Sequence, residues 1–228
     1  QHQMCIRDSH NTNQMKRILI VGAGGQIGSE LTVYLRSIYG GHNVVATDMR
    51  ECKALGEDGP FEVLNALDAT AMASVVARHH VDTIFNLVAL LSAVGERNPQ
   101  MAWQVNMGAL NNSLEVARQH HCALFTPSSI GAFGPTSPKD KTPQDTIMQP
   151  TTIYGVCKVT GELLSNYYHH KFGVDTRSVR FPGIISNVTL PGGGTTDYAV
   201  EIYYEAIRSG RFTCPVPSDC LLYTSDAA

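Results

Sequence analysis

The sequence predicts an α/β fold built on a doubly wound parallel sheet, with a small, C-terminally truncated substrate lobe. A short run at residues 17–21, continuously apolar from residue 18, is typical of a buried parallel strand, and it leads straight into a glycine-rich turn. Six such strand segments alternate with helical segments along the chain. Right-handed crossovers between them place the strands near the order 3-2-1-4-5-6, which is the Rossmann arrangement.

Length and charge narrow the possible functions. The chain has 228 residues and a net charge of -3, so it has the length of one large domain and no basic surface for nucleic acid or acidic lipid. Its longest apolar run, at residues 84–94, is too short to span a bilayer. The six cysteines have neither metal nor redox spacing, so we predict no metal site and reduced thiols in a cytoplasmic protein.

The two ends of the chain differ from the rest. Residues 1–14 show no periodicity, and residues 217–228 follow the point where the regular pattern stops. Both segments are expected to be non-native extensions, and they do not enter the fold prediction. Residues 15–185 are then expected to form a nucleotide-binding domain, and residues 186–216 a flap and the start of the substrate lobe.

The glycine-rich turn after the first strand indicates a dinucleotide site. Gly22, Gly25 and Gly28 fit the spacing G-x-x-G-x-x-G, and the helix that follows begins around Gln26 and Ile27. The first glycine allows the tight turn, the second lets the backbone approach a pyrophosphate, and the third lets helix and strand pack closely. These five residues are therefore predicted to bind the cofactor. A glycine-rich turn with a purely structural role is the alternative.

Two aspartates end the next two strands. Asp48 closes the second strand, twenty residues after Gly28, where a carboxylate can bind the ribose hydroxyls of NAD and repel the extra phosphate of NADP. A helix cap is the alternative for Asp48. Asp68 closes the third strand and is predicted either to bind the adenine amino group or to cap the following helix.

The remaining elements follow from the apolar periodicity. Further strands are predicted at residues 61–68, 81–89, 123–127, 175–185 and 211–216, and the strand at 81–89 is expected to continue to residue 93. Helices are predicted at residues 27–40, 71–80, 99–121, 152–172 and 197–209, and a surface loop at 134–150. Asn106, a polar residue among apolar ones, is either a satisfied core amide or a group that braces the cofactor site.

Tyr154 and Lys158 lie four residues apart, so they share one face of a helix. An ammonium beside a phenol favours the ionised phenol, which lowers its pKa and makes it a competent general base. The alternative is a buried aromatic beside a solvated lysine. The dinucleotide turn and the Ser128–Ser129 pair, at the carboxyl end of the fifth strand where ligands bind in such sheets, favour the catalytic interpretation.

Together these motifs resemble the extended short-chain dehydrogenase/reductase family. The resemblance rests on the glycine turn, Asp48, Ser129 and the Tyr154–Lys158 pair, and it spans most of residues 16–216. Finer stretches at residues 89–93, 127–135, 180–186 and 191–199 resemble the threonine-oxidising branch of that family.

The resemblance implies a function and a set of roles. It implies NAD as cofactor and L-threonine as small-molecule substrate, oxidised at its C3 hydroxyl to 2-amino-3-oxobutanoate. Tyr154 would take the hydroxyl proton, Lys158 would lower the tyrosine pKa and bind the nicotinamide ribose, and Ser129, rather than Ser128, would bind the reacting oxygen. Ile184 would lie at the nicotinamide. The candidates for binding the amino-acid end of the substrate are Ser92, Thr195, Thr196 and Asp197.

The resemblance also implies a homodimer through the helices at residues 99–121 and 152–172. Two other functions remain open at this point. One is a nucleotide-sugar epimerase or dehydratase, which uses the same tyrosine and lysine. The other is a non-catalytic NAD-binding protein.

Overall fold

The computed structural model describes residues 16–185 and 197–214. The two end segments and most of the flap, residues 186–196, therefore lie outside the described residues. The strands are β1 (Ile18–Val21), β2 (Val44–Asp48), β3 (Phe61–Val63), β4 (Thr83–Asn86), β5 (Ala123–Phe125), β6 (Ser128–Ser129), β7 (Thr176–Arg177) and β8 (Arg180–Phe181).

Six of these strands form one parallel sheet in the order β3-β2-β1-β4-β5-β7. This order confirms the predicted Rossmann arrangement. The other two, β6 and β8, pair in parallel with each other, with Ser128 opposite Arg180 and Ser129 opposite Phe181. Because β6 follows β5 and β8 follows β7 after two-residue breaks, this small ladder lies beyond the carboxyl ends of the main sheet.

Seven α-helices are present in the described part of the chain. They are α1 (Gln26–Tyr39), α2 (Lys53–Gly56), α3 (Ala69–Arg78), α4 (Ser92–Arg97), α5 (Pro99–His120), α6 (Ile153–Phe172) and α7 (Tyr198–Ser209), with short 3-10 turns at Gly41–Asn43 and Ile130–Ala132. Side-chain caps mark the starts of several: Asn98 caps α5, and Thr152 accepts a bond from the Gly155 N–H at the start of α6. Gly173, in the left-handed region, ends α6 as predicted.

The core has two parts, one on each face of the sheet. Leu19 and Val21 of β1 face a cluster that includes residues of α3, α5 and α6, while Ile18 and Ile20 face a cluster with α1. All four are almost completely buried, as the continuous apolar run predicts for a strand covered on both faces. Helices therefore cover both faces of the sheet.

Four predicted strands are shorter in the structure, among them the one at 123–127, which ends at Phe125, and one predicted extension is wrong. β4 ends at Asn86, and the chain enters α4 at Ser92 instead of continuing as a strand to residue 93. Polar side chains take the backbone bonds that a strand would need: Asn86 accepts from the Val88 N–H at 3.3 Å, and Asn106 binds the Leu90 backbone. The described part of the 211–216 segment, residues 211–214, contains no strand.

Turns shorten the third and sixth predicted strands. β3 ends at Val63 because Asn65 forms a turn, accepting from the Leu67 N–H through its side chain and from the Asp68 N–H through its carbonyl. The segment at 175–185 contains two short strands, β7 and β8, separated by residues 178 and 179. None of the described helices is both long enough and apolar enough to cross a membrane.

Candidate active site

A cavity of about 420 Å3 opens at the carboxyl edge of the sheet. Its wall combines the glycine turn, the segment after β4, the β6 strand, α6 and the segment after β8. The predicted site residues that line it are Gly22, Gly25, Gln26, Ile27, Gly28, Ser92, Ser128, Ser129, Tyr154, Lys158, Ile184 and Asp197. Residues predicted from separate stretches of sequence are thus brought together at one place.

The glycine turn has the geometry that a dinucleotide loop requires. Gly22 has φ 87°, a left-handed conformation that favours glycine. A Cβ on Gly28 would lie against the Gly22 carbonyl oxygen and 2.7 Å from Ala23 Cα, so only glycine lets α1 pack this closely on the turn. Gly25 is the N-cap residue of α1 and brings no side chain over the first turn of the helix. The helix N-terminus, with its N–H groups and positive potential, therefore faces the cavity where a pyrophosphate fits.

Gln26 connects the two walls of the cavity. Its side-chain amide donates to the Ile184 carbonyl at 3.4 Å, across 158 residues of sequence. This bond joins the start of α1 to the segment after β8, so the Ile184 backbone lies next to the end of the glycine turn on the cavity wall.

Asp48 lies beside the glycine turn and caps no helix. Its Oδ2 accepts from the Gly24 N–H at 3.0 Å, and its Oδ1 accepts from the Arg50 N–H at 3.4 Å. The next helix, α2, begins at Lys53 with Cys52 as its N-cap residue, so the helix-cap alternative is wrong. The carboxylate sits at the end of β2, half-exposed, where the ribose of a bound dinucleotide is expected in this fold.

Asp68 and Asn106 both have structural partners. Asp68 is exposed and caps α3, accepting from the Ala71 N–H at 2.8 Å, as one of its two predicted roles requires. Its contact with adenine stays a prediction. Asn106 is buried and binds both backbone groups of Leu90: its Oδ1 accepts from the N–H at 2.7 Å, and its Nδ2 donates to the carbonyl at 3.2 Å. It is a satisfied amide that also braces the cavity wall.

The structure separates the two serines of β6. The Ser128 hydroxyl donates to Glu162 of α6, whereas the Ser129 hydroxyl accepts from the Gly131 N–H at 3.1 Å. Ser129 Oγ and the Tyr154 ring both flank Gly131, and the Ser129 hydroxyl lowers the pKa of Tyr154. Lys158 donates to the Pro127 carbonyl at 2.7 Å, and its Nζ lies 5.3 Å from the centroid of the Tyr154 ring. Ser129, Tyr154 and Lys158 therefore form one cluster on the cavity wall.

The predicted lowering of the tyrosine pKa is wrong for the protein chain by itself. Burial raises the pKa of Tyr154 because it disfavours the phenolate, and the nearby Ser129 hydroxyl opposes this only in part. Burial also lowers the pKa of Lys158 to about 8, against the opposing effects of Cys157 and Glu162. The error has a physical cause: spacing along a helix shows which groups are neighbours but not how deeply the rest of the fold buries them.

Of the predicted substrate residues, Ser92 begins α4 and Asp197 immediately precedes α7, and both line the cavity. Thr195 and Thr196 lie outside the described residues. Among the residues that the structure describes, no group of three or more His, Cys, Asp or Glu side chains could hold a metal ion.

Sequence reasoning missed the charged pair behind the serines. Glu162 and Arg180 form a two-pronged ion pair, with Arg180 Nε 2.9 Å from Oε1 and Nη2 2.8 Å from Oε2. Glu162 lies four residues after Lys158, so the helical spacing alone would have placed it on the catalytic face of α6. Nothing in the sequence pairs it with Arg180 on β8.

Comparison with known proteins agrees with this geometry. A family model described as the NAD dependent epimerase/dehydratase family matches residues 18–220. An uncharacterized epimerase/dehydratase of Staphylococcus haemolyticus is 57% identical over 218 residues, covering 93% of this chain and 69% of that protein. An uncharacterized epimerase/dehydratase of Staphylococcus aureus is 55% identical over 218 residues, covering 93% and 68%.

Solved structures give a similar result. The L-threonine dehydrogenase from Clostridium difficile is 56% identical with a TM-score of 0.83, over 88% of this chain and 64% of that one. The holo form of a GalE-like L-threonine dehydrogenase from Cupriavidus necator is 50% identical with a TM-score of 0.84, over 88% and 65%. A UDP-glucose 4-epimerase from Thermotoga maritima, at 22% identity and a TM-score of 0.73, shares the fold. The chain thus spans less than two thirds of the length of these two threonine dehydrogenases.

These matches settle the family and the cofactor. The family is defined by its dependence on NAD, and the glycine turn of this chain has the close packing and the open helix N-terminus that such a cofactor requires. NAD is therefore confirmed as the cofactor. The chain belongs to the NAD-dependent epimerase/dehydratase family.

Proposed function

We propose that this chain carries the catalytic site of an NAD-dependent L-threonine 3-dehydrogenase. The observation that supports the proposal most directly is the cluster of Ser129, Tyr154 and Lys158 at the cavity that the glycine turn opens into. Similarity to two threonine dehydrogenases at 50% identity or above supports threonine as the substrate.

In this proposal the protein binds NAD in an extended pose along the carboxyl edge of the sheet. The glycine turn and the α1 N-terminus bind the pyrophosphate, and Asp48 accepts hydrogen bonds from the adenosine ribose, which favours NAD over NADP. Lys158 binds the nicotinamide ribose, and Ile184 contacts the ring. NAD, once bound, supplies the acceptor for the hydride that leaves C3 of the substrate.

The chain's own residues handle the proton. Ser129 and Tyr154 hydrogen-bond the C3 hydroxyl, and the phenolate form of Tyr154 takes its proton as the C3–H bond breaks. Because burial disfavours that phenolate, its formation depends on the Ser129 hydroxyl and on the positive charge of Lys158 near the ring. The products are 2-amino-3-oxobutanoate and NADH. Asp197, Ser92, Thr195 and Thr196 bind the ammonium and carboxylate of threonine.

A nucleotide-sugar epimerase or dehydratase is the second candidate, because the curated relatives carry that description. Such a substrate brings a diphosphate besides that of the cofactor. Among the described residues that line the cavity, Lys158 is the one cation, and it lies beside Tyr154. This charge distribution favours the zwitterionic amino acid over a nucleotide sugar.

The test uses the complete protein with NAD and follows NADH absorbance with L-threonine, and sugar conversion with a UDP-sugar. We expect NADH to form with L-threonine. Turnover of the UDP-sugar alone would establish the second candidate, and NAD binding without turnover of either would indicate a non-catalytic protein.

Tyr154→Phe tests the proposed base. It should lower kcat by about 10²–10⁴-fold while NAD affinity measured by calorimetry changes little, because the phenol takes the proton but does not hold the cofactor's phosphates. Tyr34→Phe, at an exposed position on α1, is the control and should retain activity. Full activity in Tyr154→Phe would remove this residue from the role of base.

A further inference from the structure

Behind the catalytic cluster, four elements meet at one partly buried ion pair. Glu162 lies one helical turn after Lys158 on α6 and accepts from Arg180 of β8 through both carboxylate oxygens. The two side chains are 15% and 16% exposed, so this pair is mostly withdrawn from water. Glu162 also accepts a hydrogen bond from the Ser128 hydroxyl of β6.

Arg180 extends the network to the surface loop. Its Nη1 donates to the Gln144 carbonyl at 2.9 Å, and its guanidinium lies 5.3 Å from the centroid of the Phe133 ring. Arg180 is also the residue opposite Ser128 in the β6–β8 ladder. The Arg180 guanidinium therefore contacts α6, the loop at 134–150 and the Phe133 ring. The Arg180 backbone pairs with β6.

This arrangement determines where the neighbouring serine points. Successive residues of a strand direct their side chains to opposite sides, so a hydrogen bond that anchors Ser128 on Glu162 also orients Ser129. Ser129 Oγ lies with the Tyr154 ring against Gly131 and lowers the pKa of the phenol. The register of the β6–β8 ladder and the position of the reactive phenol are thus connected through Glu162.

Glu162 also brings a charge close to Lys158. Burial alone would raise the pKa of Glu162, but hydrogen bonds from Arg180 and Ser128 bring it below its usual value, so the carboxylate stays ionised. Two titratable groups of its own helix, Cys157 and Glu162, raise the pKa of Lys158. Tyr154 lies one turn before it, and Arg180 is bonded to Glu162. On α5, the side chains that face this region are Asn106 and Leu110, which are uncharged.

We propose that Glu162 and Arg180 are positioning residues of the catalytic site, which orient Ser129 toward Tyr154 and place a fixed negative charge beside Lys158. The catalytic meaning of this rests on the proposed function, since it assumes that Ser129, Tyr154 and Lys158 perform the proton transfer. The arrangement itself can be tested without turnover.

The first experiment measures the charge on Lys158 in the complete protein without cofactor. Lys158 is labelled with acetic anhydride across a pH series, and the labelled peptide is quantified by mass spectrometry. In Glu162→Gln, the midpoint of labelling should fall by about one pH unit, because a neighbouring anion that favours the ammonium is gone. Glu115→Gln is the matched control: its carboxylate also has an arginine and a hydroxyl as partners, Arg118 and Tyr168, and its midpoint should equal that of wild type.

The second experiment measures kinetics. Glu162→Gln should lower kcat about 10- to 100-fold with little change in the KM for NAD, and move the pH profile in the same direction as the labelling midpoint. Arg180→Lys keeps the positive charge but loses the two-pronged geometry, so it should lower kcat while the Lys158 midpoint stays close to wild type. A role in folding alone would lower the Tm and leave both pH measurements unchanged.

Failure of this inference can be told from failure of the proposed function. If wild type does not oxidise threonine, the labelling midpoint still reports on Glu162. An unchanged midpoint in a folded Glu162→Gln variant overturns the proposal. If that variant does not fold, Ser128→Ala replaces it: a lower kcat at constant KM for NAD supports the link through Ser128, and a wild-type kcat overturns it.

Discussion

Lys158 is a partly buried cation, and removing its charge from water has a cost in stability. Burial lowers its pKa from 10.5 to about 8, whereas the unfolded chain restores the ordinary value. Between those two pH values the unfolded state binds more protons, so the contribution of this group to stability improves as pH rises. Below about pH 8 the full cost is present.

Lys158→Met should therefore stabilise the protein at neutral pH. We expect its free energy of unfolding at pH 7 to exceed that of wild type by up to about 3 kcal/mol, and this advantage to vanish as pH approaches 10.5. Urea unfolding at both pH values measures it. Lys171→Met, at an exposed position of the same helix, should show no such pH-dependent gain. A Lys158→Met variant that is no more stable than wild type at pH 7 would contradict the cost of burial.

Gly28 and Gly25 have different tasks within the same turn, and two alanine variants should separate them. Gly28→Ala places a Cβ against the Gly22 carbonyl and Ala23 Cα, so it should lower the free energy of unfolding by about 1–3 kcal/mol. Gly25→Ala meets only the Gly22 oxygen, at 3.4 Å, and should keep most of the stability while losing NAD affinity, because its methyl group covers the α1 N-terminus. Thermal unfolding and calorimetric NAD titration measure the two effects. Equal losses of stability in both variants would contradict this division.

At the scale of elements, α5 and α6 pack side by side and present apolar residues to solvent. Val156, Leu163 and Tyr167 recur at helical spacing on α6 and are 38%, 62% and 52% exposed, and Met101 and Trp103 are exposed on α5. Such a stripe on two adjacent helices is typical of a protein interface. We propose that the protein forms a homodimer through these two helices.

Leu163→Glu should weaken that dimer. A charge at the centre of an apolar interface lacks a partner, so sedimentation velocity should show a shift from dimer to monomer. Val33→Glu, at a position on α1 that is 59% exposed, is the control and should leave the oligomeric state of wild type. A wild-type protein that sediments as a monomer would refute the interface directly.

The helix ends show what the sequence can predict at this scale. The predicted bounds of α5 and α6 agree with the structure nearly to the last residue, and Gly173 ends α6. The structure adds the caps Asn98 and Thr152, which are local signals that act within one turn. α4 was not predicted. The apolar run after β4 looks like a strand, and only contact with Asn106, sixteen residues away, diverts the Leu90 backbone from the sheet.

For the molecule as a whole, the sheet order and the location of the site were predictable. Strands buried on both faces have a characteristic apolar composition, and the handedness of crossovers leaves few ways to connect them. The glycine turn and the Tyr154–Lys158 pair then located the site, since ligands bind at the carboxyl edge of such a sheet. The sign of the Tyr154 pKa shift and the Glu162–Arg180 pair were not predictable, because both depend on distances between elements that no local pattern contains.

The amide of Asn106 has a consequence for the whole assembly. It hydrogen-bonds both the N–H and the carbonyl of Leu90, as a neighbouring strand would, yet it belongs to α5 and not to the sheet. Two hydrogen bonds therefore connect the cavity wall at Leu90 to α5, the helix whose outer surface we propose for subunit contact. A rotation of α5 at that surface would move the Leu90 segment with it. Subunit contact and the width of the cavity mouth would then be coupled through α5.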